Sequence, residues 1–212
     1  MMLNWKTNYV RLLECFILFI LMPVCFSLAF DFRLKLLLGL IGFVYIVFVL
    51  LKVEKVKFYV LKDIKWKPFV FQTSIKFILI VILSLLYVLI TNDELLFKPI
   101  KTDIQKWLLF VLIYAFLSVY PQEIVYRTFF FRRYRTLFKS NELFLFLNAV
   151  LFSLGHIFFR NTLVLVITCV GGLLFALTYS QNKSTVLVSL EHALYGSWLY
   201  TVGMGGMLGF PD

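Results

Sequence analysis

Residues Leu34 to Leu51 read LKLLLGLIGFVYIVFVLL, eighteen positions of which only Lys35 is charged. As an α-helix rising 1.5 Å per residue, the stretch is about 27 Å long, close to the hydrocarbon thickness of a bilayer. Apolar on every face, it has no side to turn toward water, so it predicts a membrane-spanning helix. Six further runs have the same character: Leu12 to Phe30, Phe77 to Ile90, Trp107 to Tyr120, Leu143 to Phe159, Leu163 to Thr178 and Val186 to Val202. The run at Phe77 is short for a span unless it begins near Phe69 and lets Lys76 snorkel to the interface. The run at Trp107 is expected to continue through Pro121 to Phe131 as one long helix.

Composition points the same way. Hydrophobic residues make up 62% of the chain and charged residues 15%, with a mean hydropathy of +0.93. A soluble domain has roughly 45–50% apolar and 25% charged residues, and the linkers between runs leave no room for a separate soluble domain. The fold class is therefore all-α, a polytopic transmembrane helical bundle of about seven spans. Residues 1–106 form N-terminal membrane spans with a basic loop, and residues 107–212 form the core spans that carry the polar motifs.

A net charge of +10 would suggest nucleic acid in a soluble protein. Here the Lys and Arg residues lie between apolar runs and act as topology signals, so no nucleic-acid partner is expected. With the N-terminus in the cytoplasm, thirteen loop Lys and Arg residues fall inside, among them Arg11, Lys52, Lys55, Arg132, Arg133, Arg135 and Lys139. Six fall outside: Arg33, Lys35, Lys98, Lys101, Lys106 and Arg160. This asymmetry predicts an integral membrane protein with a cytoplasmic N-terminus; the expected location is the inner (plasma) membrane of a bacterium. The basic loop from Lys52 to Lys67, with Phe58, Tyr59 and Trp66 interleaved, reads as an ordinary positive-inside loop that also suits the anionic leaflet.

Cys15, Cys25 and Cys169 lie inside apolar runs without CxxC spacing and read as packing residues. Ser27-Leu28-Ala29 resembles a signal-peptide cleavage site, but the first run is read as a retained span. Gly171, Gly172 and Ala176 give the sixth span a small-residue face for close helix approach.

Charged side chains at bilayer depth cost about 2.5–3.5 kcal/mol each on insertion scales, so they persist where they are paired, interior-facing or functional. Three segments carry them. In Pro121-Gln122-Glu123-Ile124-Val125-Tyr126-Arg127, Glu123 and Arg127 are spaced i, i+4 on one helical face with the acid N-terminal. Asn148, Phe152 and His156 recur every four residues and form one stripe. In Glu191-His192-Ala193-Leu194-Tyr195-Gly196, His192 and Gly196 share one face while Glu191 and Tyr195 share the next. Each segment alone also fits a structural ion pair or helix packing. Two Glu, two His and one Arg together in one small membrane protein point to a functional site. Glu123 lies nine residues before Arg132 and His192 nine after Lys183, about 13 Å of helix in both cases, so the two can be level in the membrane.

These three segments, in this order, resemble the CPBP family, the CAAX proteases and bacteriocin-processing intramembrane peptidases. The resemblance runs from about Trp107 to the C-terminus. The family pattern is Glu-Glu-x-x-x-Arg, then Phe-x-x-x-His, then His-x-x-x-Asn. Glu123 and Arg127 match the second acid and the Arg, Phe152 and His156 match the second motif, and His192 matches the third. Gln122 stands where the first Glu is expected and Gly196 where the Asn is expected. The resemblance implies that the first Glu and the second-motif His activate a water, while the later His and the Asn stabilise the oxyanion. It implies no required metal.

Gln cannot take a proton from water and Gly has no side chain to offer an oxyanion. Glu123 or Glu191 would then have to act as base, and Tyr195 or Asn148 as the missing donor. The expected function is an intramembrane endopeptidase acting on a membrane-associated or lipidated peptide. In it Glu123 is the base, His156 orients the water, His192 stabilises the oxyanion and Arg127 holds Glu123. Membrane lipids and a peptide or lipidated protein are the expected partners, with a membrane protein partner also open. The alternatives are a non-hydrolytic member that binds lipid or lipidated peptide, an acyl-transfer enzyme, or a membrane scaffold. A zinc site built from His156, His192 and Glu123 or Glu191 is a minor variant, these being suitable zinc ligand types.

Overall fold

The computed structural model describes residues 7–56 and 65–210, and among them every regular element is helical. The central part of the basic loop, including Phe58 and Tyr59, lies outside the described residues. Among the described residues six helices are long and apolar enough to cross a membrane. They are α1 (Asn8–Ser27), α2 (Phe32–Val53), α3 (Trp66–Thr91), then, after the short α4 (Lys98–Thr102), α5 (Ile104–Leu137), α6 (Asn141–Phe159) and α7 (Thr162–Asn182). The seventh expected run is α8 (Thr185–Leu199), fifteen residues that continue into a π-turn at Tyr200–Met204. The six spans together with α8 agree with a bundle of about seven.

Two sequence expectations about helix extent are met. α3 begins at Trp66, upstream of Phe69, and α5 runs through Pro121 without a break. Pro121 has no N–H to give to the carbonyl four residues back, and the helix accommodates it with wide turns on both sides. The stretches Tyr114–Val119 and Ile124–Phe129 are π-helical, separated by the single α-turn Tyr120–Glu123. Such turns re-aim the side chains that follow, and they recur at functional sites.

The chain divides into two compact units. The first holds Met1–Lys62 and Ile124–Leu177, that is α1, α2, the second part of α5, α6 and most of α7. Its core is aromatic: Phe19 meets Tyr126, Phe130 and Tyr134 edge-on at ring separations of 5.3, 5.1 and 6.0 Å. Gly172 of α7 lies against Ala149 of α6, where a Cβ would meet the Ala149 Cα at 3.2 Å, so the small-residue face does allow close approach.

One end of this unit is tied by ions. Glu14 accepts from Arg133 Nε (2.8 Å), Arg133 Nη2 (2.9 Å), Tyr134 (2.7 Å) and Tyr45 (2.7 Å). Arg133 also donates to Glu54 at 2.9 Å, and Arg11 donates to Thr136 at 2.9 Å. Arg133, counted as a loop charge from sequence, is therefore a fully buried fork that satisfies two carboxylates. At the other end Arg160 donates to the Ser27 carbonyl at 2.9 Å. The start of α1, the end of α2 and the end of α5 thus share one end, and the end of α1 and the end of α6 share the other. Spans that alternate in direction produce this arrangement.

The second unit holds Asp63–Glu123 and Thr178–Asp212, that is α3, α4, the first part of α5, the end of α7 and α8. α8 packs on α3 through Phe77, which stacks on Tyr195 at 6.1 Å and meets Trp198 edge-on at 5.9 Å. Trp198 Nε1 donates to Ser84 (2.8 Å) and Trp107 Nε1 to Thr201 (2.9 Å), so both indoles satisfy their polar edge within the protein. Large apolar side chains such as Leu36, Phe71, Ile78 and Ile90 stand exposed along the spans. That surface is the mark of a chain solvated by lipid.

Candidate active site

The second unit brings Glu123 and His192 together. Glu123 is placed by the α-turn Tyr120–Glu123 of α5 and is fully buried, while His192 lies on α8 and is 6% exposed. Their side chains meet at 2.7 Å, Glu123 Oε1 to His192 Nδ1. A carboxylate only accepts, so with Glu123 ionised the ring hydrogen sits on Nδ1 and Nε2 is the basic nitrogen of the neutral imidazole. The equal depth read from the sequence is matched by direct contact. A carboxylate that orients an imidazole and supports its charge is an acid–base unit that recurs in hydrolytic catalysis.

Position 122, where the resemblance leads one to expect a carboxylate, holds an amide whose Nε2 donates to Ser118 at 2.8 Å. The Gln122 Oε1 is buried and, among the described residues, has no partner. At position 196 the missing side chain has a local cause. A Cβ built on Gly196 would run into the hydroxyl and ring of Tyr114, the first residue of the π-turn in α5. The Tyr114 ring stands 6.1 Å from the His192 ring, edge to face.

Glu191 and Tyr195 belong to a neighbouring cluster. Glu191 Oε1 accepts from Lys76 Nζ at 2.9 Å and from the Tyr195 hydroxyl at 2.9 Å. Lys76 donates as well to Thr178 at 3.0 Å. Lys76 was expected to snorkel; instead the acid one residue before His192 holds it inside the protein. The Tyr195 hydroxyl also reaches the Thr73 carbonyl at 3.2 Å, so it is occupied within this cluster.

In the first unit Arg127 docks on the stripe read from the sequence. Its Nη1 donates to Asn148 Oδ1 at 2.7 Å and its Nη2 to the Gly172 carbonyl at 3.1 Å. Its guanidinium lies 4.9 Å above the Phe152 ring, a cation–π contact in a desolvated place. Asn148 Nδ2 in turn donates to the Tyr126 carbonyl at 2.8 Å. Asn148 is thereby used to seat an arginine.

His156 lies just beyond the α-helical part of α6, at the start of the 3-10 turn Ile157–Phe159. Its Nδ1 donates to the Phe152 carbonyl at 2.8 Å, which fixes the tautomer, and its ring lies 4.8 Å from the Phe152 ring. Among the described residues no group of three or more His, Cys, Asp or Glu stands together in a way that could hold a metal ion. The three cysteines are free and partly buried.

Tyr114 drew no notice in the sequence, and Lys76 stood out there only as a charge that could snorkel. A tyrosine in an apolar run carries no signal of its own, and the only hint of Tyr114 was the vacancy at Gly196.

A family model described as type II CAAX prenyl endopeptidase Rce1-like matches residues 104–209, half of the chain. No curated protein and no solved structure matches it.

Proposed function

Because the chain belongs to the Rce1-like family of type II CAAX prenyl endopeptidases, we propose that it is an intramembrane endopeptidase. Its substrate is a membrane-associated or lipidated peptide, with a prenylated CAAX-type peptide the first to test. The observation that carries this reading is the buried 2.7 Å bond between Glu123 and His192, both of which lie within the matched segment.

In this reading the Glu123–His192 dyad takes the proton as a water oxygen attacks the carbonyl carbon of the scissile bond. The tetrahedral intermediate then collapses, the C–N bond breaks, and the dyad returns its proton to the leaving nitrogen. Atoms and charge balance, and the amide at position 122 is not asked to act as a base. Gln122, with its buried unpaired oxygen, is suited to accept a hydrogen bond from the water or from a substrate N–H. His156 enters from its motif alone, as the residue that orients the water, and Arg127 from its spacing, as the residue that holds Glu123.

The test is cleavage of a prenylated CAAX-type peptide by the purified protein in lipid nanodiscs. Wild type should release the C-terminal fragment, and Glu123→Ala, His156→Ala and His192→Ala should each abolish turnover. Glu123→Ala and His192→Ala should lose about as much singly as together, as residues acting as one unit do. Binding of the prenylated peptide without cleavage would instead favour the non-hydrolytic alternative, toward which the Gln122 and Gly196 substitutions point.

A further inference from the structure

Peptide hydrolysis places a negative charge on the former carbonyl oxygen, and a hydrogen-bond donor must be waiting there. In the unit that holds the Glu123–His192 dyad, the donors suggested by the sequence are occupied. His192 Nδ1 is engaged by Glu123 (2.7 Å). Tyr195 is bound to Glu191 (2.9 Å) and Thr73 (3.2 Å). In the other unit, Asn148 is committed to Arg127 and Tyr126. Trp198 and Trp107 donate to Ser84 and Thr201.

The Tyr114 hydroxyl differs from all of these. It lies against Gly196, in the space that a side chain there would fill, and among the described residues no hydrogen bond occupies it. Its ring is packed on two sides, edge-on to His192 at 6.1 Å and against Phe210 at 5.0 Å, so its direction is fixed. Tyr114 also opens the π-turn before Pro121 and is therefore set by the same distortion of α5 that delivers Glu123.

We propose that the Tyr114 hydroxyl is the oxyanion donor of this enzyme, reaching from α5 into the space that Gly196 leaves open on α8. The inference rests on the peptidase reading above. A phenol placed beside the dyad donates one O–H···O bond to the developing oxyanion and keeps its own proton, so it stabilises the intermediate without entering the proton transfer. The absence of a side chain at 196 is then part of the same arrangement: a donor carried by α5 has taken the place of one carried by α8.

The test is Tyr114→Phe, which removes only the oxygen. Steady-state cleavage of the prenylated peptide in nanodiscs should show kcat lower by about 10²-fold or more. KM and the melting temperature should stay at their wild-type values. A Tyr114→Phe protein that turns over at the wild-type rate, or that loses rate only through KM, overturns the proposal. If Tyr114→Phe also lowers the melting temperature, a second pair decides. Tyr114→Ala opens the space and should be nearly inactive, and adding Gly196→Asn supplies an amide donor from the other helix. Recovery of turnover in the double variant supports the proposal and no recovery overturns it. Failure of the peptidase reading itself would show earlier, as an unmodified protein with no turnover.

Discussion

Lys76 Nζ stands 2.9 Å from Glu191 Oε1, joining residues 115 positions apart on α3 and α8. Glu191 is fully buried, whereas the lysine side chain keeps 23% of its exposure, so the acid depends on this partner for its charge. Removing one member of such a pair leaves an uncompensated buried charge and costs about 3–5 kcal/mol, while replacing both with apolar groups of similar volume is often neutral. Lys76→Met should therefore lower the unfolding free energy in detergent by an amount in that range. Lys76→Met combined with Glu191→Leu should recover most of it. Equal losses in the single and double variants would mean that the ion pair is not what the single variant broke.

Arg127 and Asn148 are expected to be energetically coupled as well. Arg127 is fully buried, bonded to Asn148 Oδ1 and to the Gly172 carbonyl, with Phe152 beneath it. Arg127→Leu strands two acceptors in a dry interior, each costing about 1–3 kcal/mol. Arg127→Lys keeps the charge but lacks the planar fork that reaches both acceptors and stacks on the ring, so it should rescue only part of the loss. A double-mutant cycle with Asn148→Leu, read by thermal unfolding, should give a coupling energy of about 1–3 kcal/mol. Additive losses would show that the two side chains do not act on each other.

What the sequence revealed and what it hid follow from the range over which each feature acts. Spans are local: length and apolarity fix them, and α3 and α5 extend as their flanking residues suggested. The Glu123–His192 contact was approachable because loop charges at Arg132 and Lys183 set a depth for each residue. Partners of side chains far apart in sequence carry no such marker. Lys76 read as a snorkelling end residue, and Glu14 drew no notice in its apolar run, although it gathers Arg133, Tyr134 and Tyr45 around it. Arg133 was counted among the loop charges for the same reason, since spacing cannot tell a solvated arginine from one folded back into the bundle. Tyr114 was hidden in another way, because its significance depends on what position 196 lacks.

The topology makes a prediction of its own. The ends of α1, α2 and α5 meet through Arg11, Glu54, Arg133 and Thr136, and from the positive-inside rule that end is expected to face the cytoplasm. Single cysteines at Lys55 and Lys139, in a background without Cys15, Cys25 and Cys169, should resist a membrane-impermeant thiol reagent in intact cells and react after permeabilisation. A cysteine at Arg160, at the other end of the same unit, should react from outside. Ready labelling at Lys55 or Lys139 in intact cells would invert the assignment.

The last prediction concerns position 122, where the amide stands in place of the carboxylate expected from the family pattern. Gln122→Glu introduces a second carboxylate next in sequence to Glu123, near the dyad. If position 122 still faced the water as the base, the substitution would restore it and turnover of the prenylated peptide would rise. If the dyad has taken over, the two carboxylates compete. Like charges close together in a low dielectric do not both stay ionised, so one of them holds a proton. The proton-bearing carboxyl can be Glu123 itself, in which case the acceptor for the His192 Nδ1–H is lost until the pH is raised. The expected outcome is lower turnover near neutrality and a pH optimum displaced upward, with the Ser118 bond to the amide lost as well. A gain of tenfold or more, equivalent to about 1.4 kcal/mol of barrier, would mean that position 122 remains the place of the base and would remove the dyad from that role. The rate profile between mildly acidic and alkaline pH distinguishes the outcomes, because a restored base raises the whole profile whereas competition moves its acid limb to higher pH.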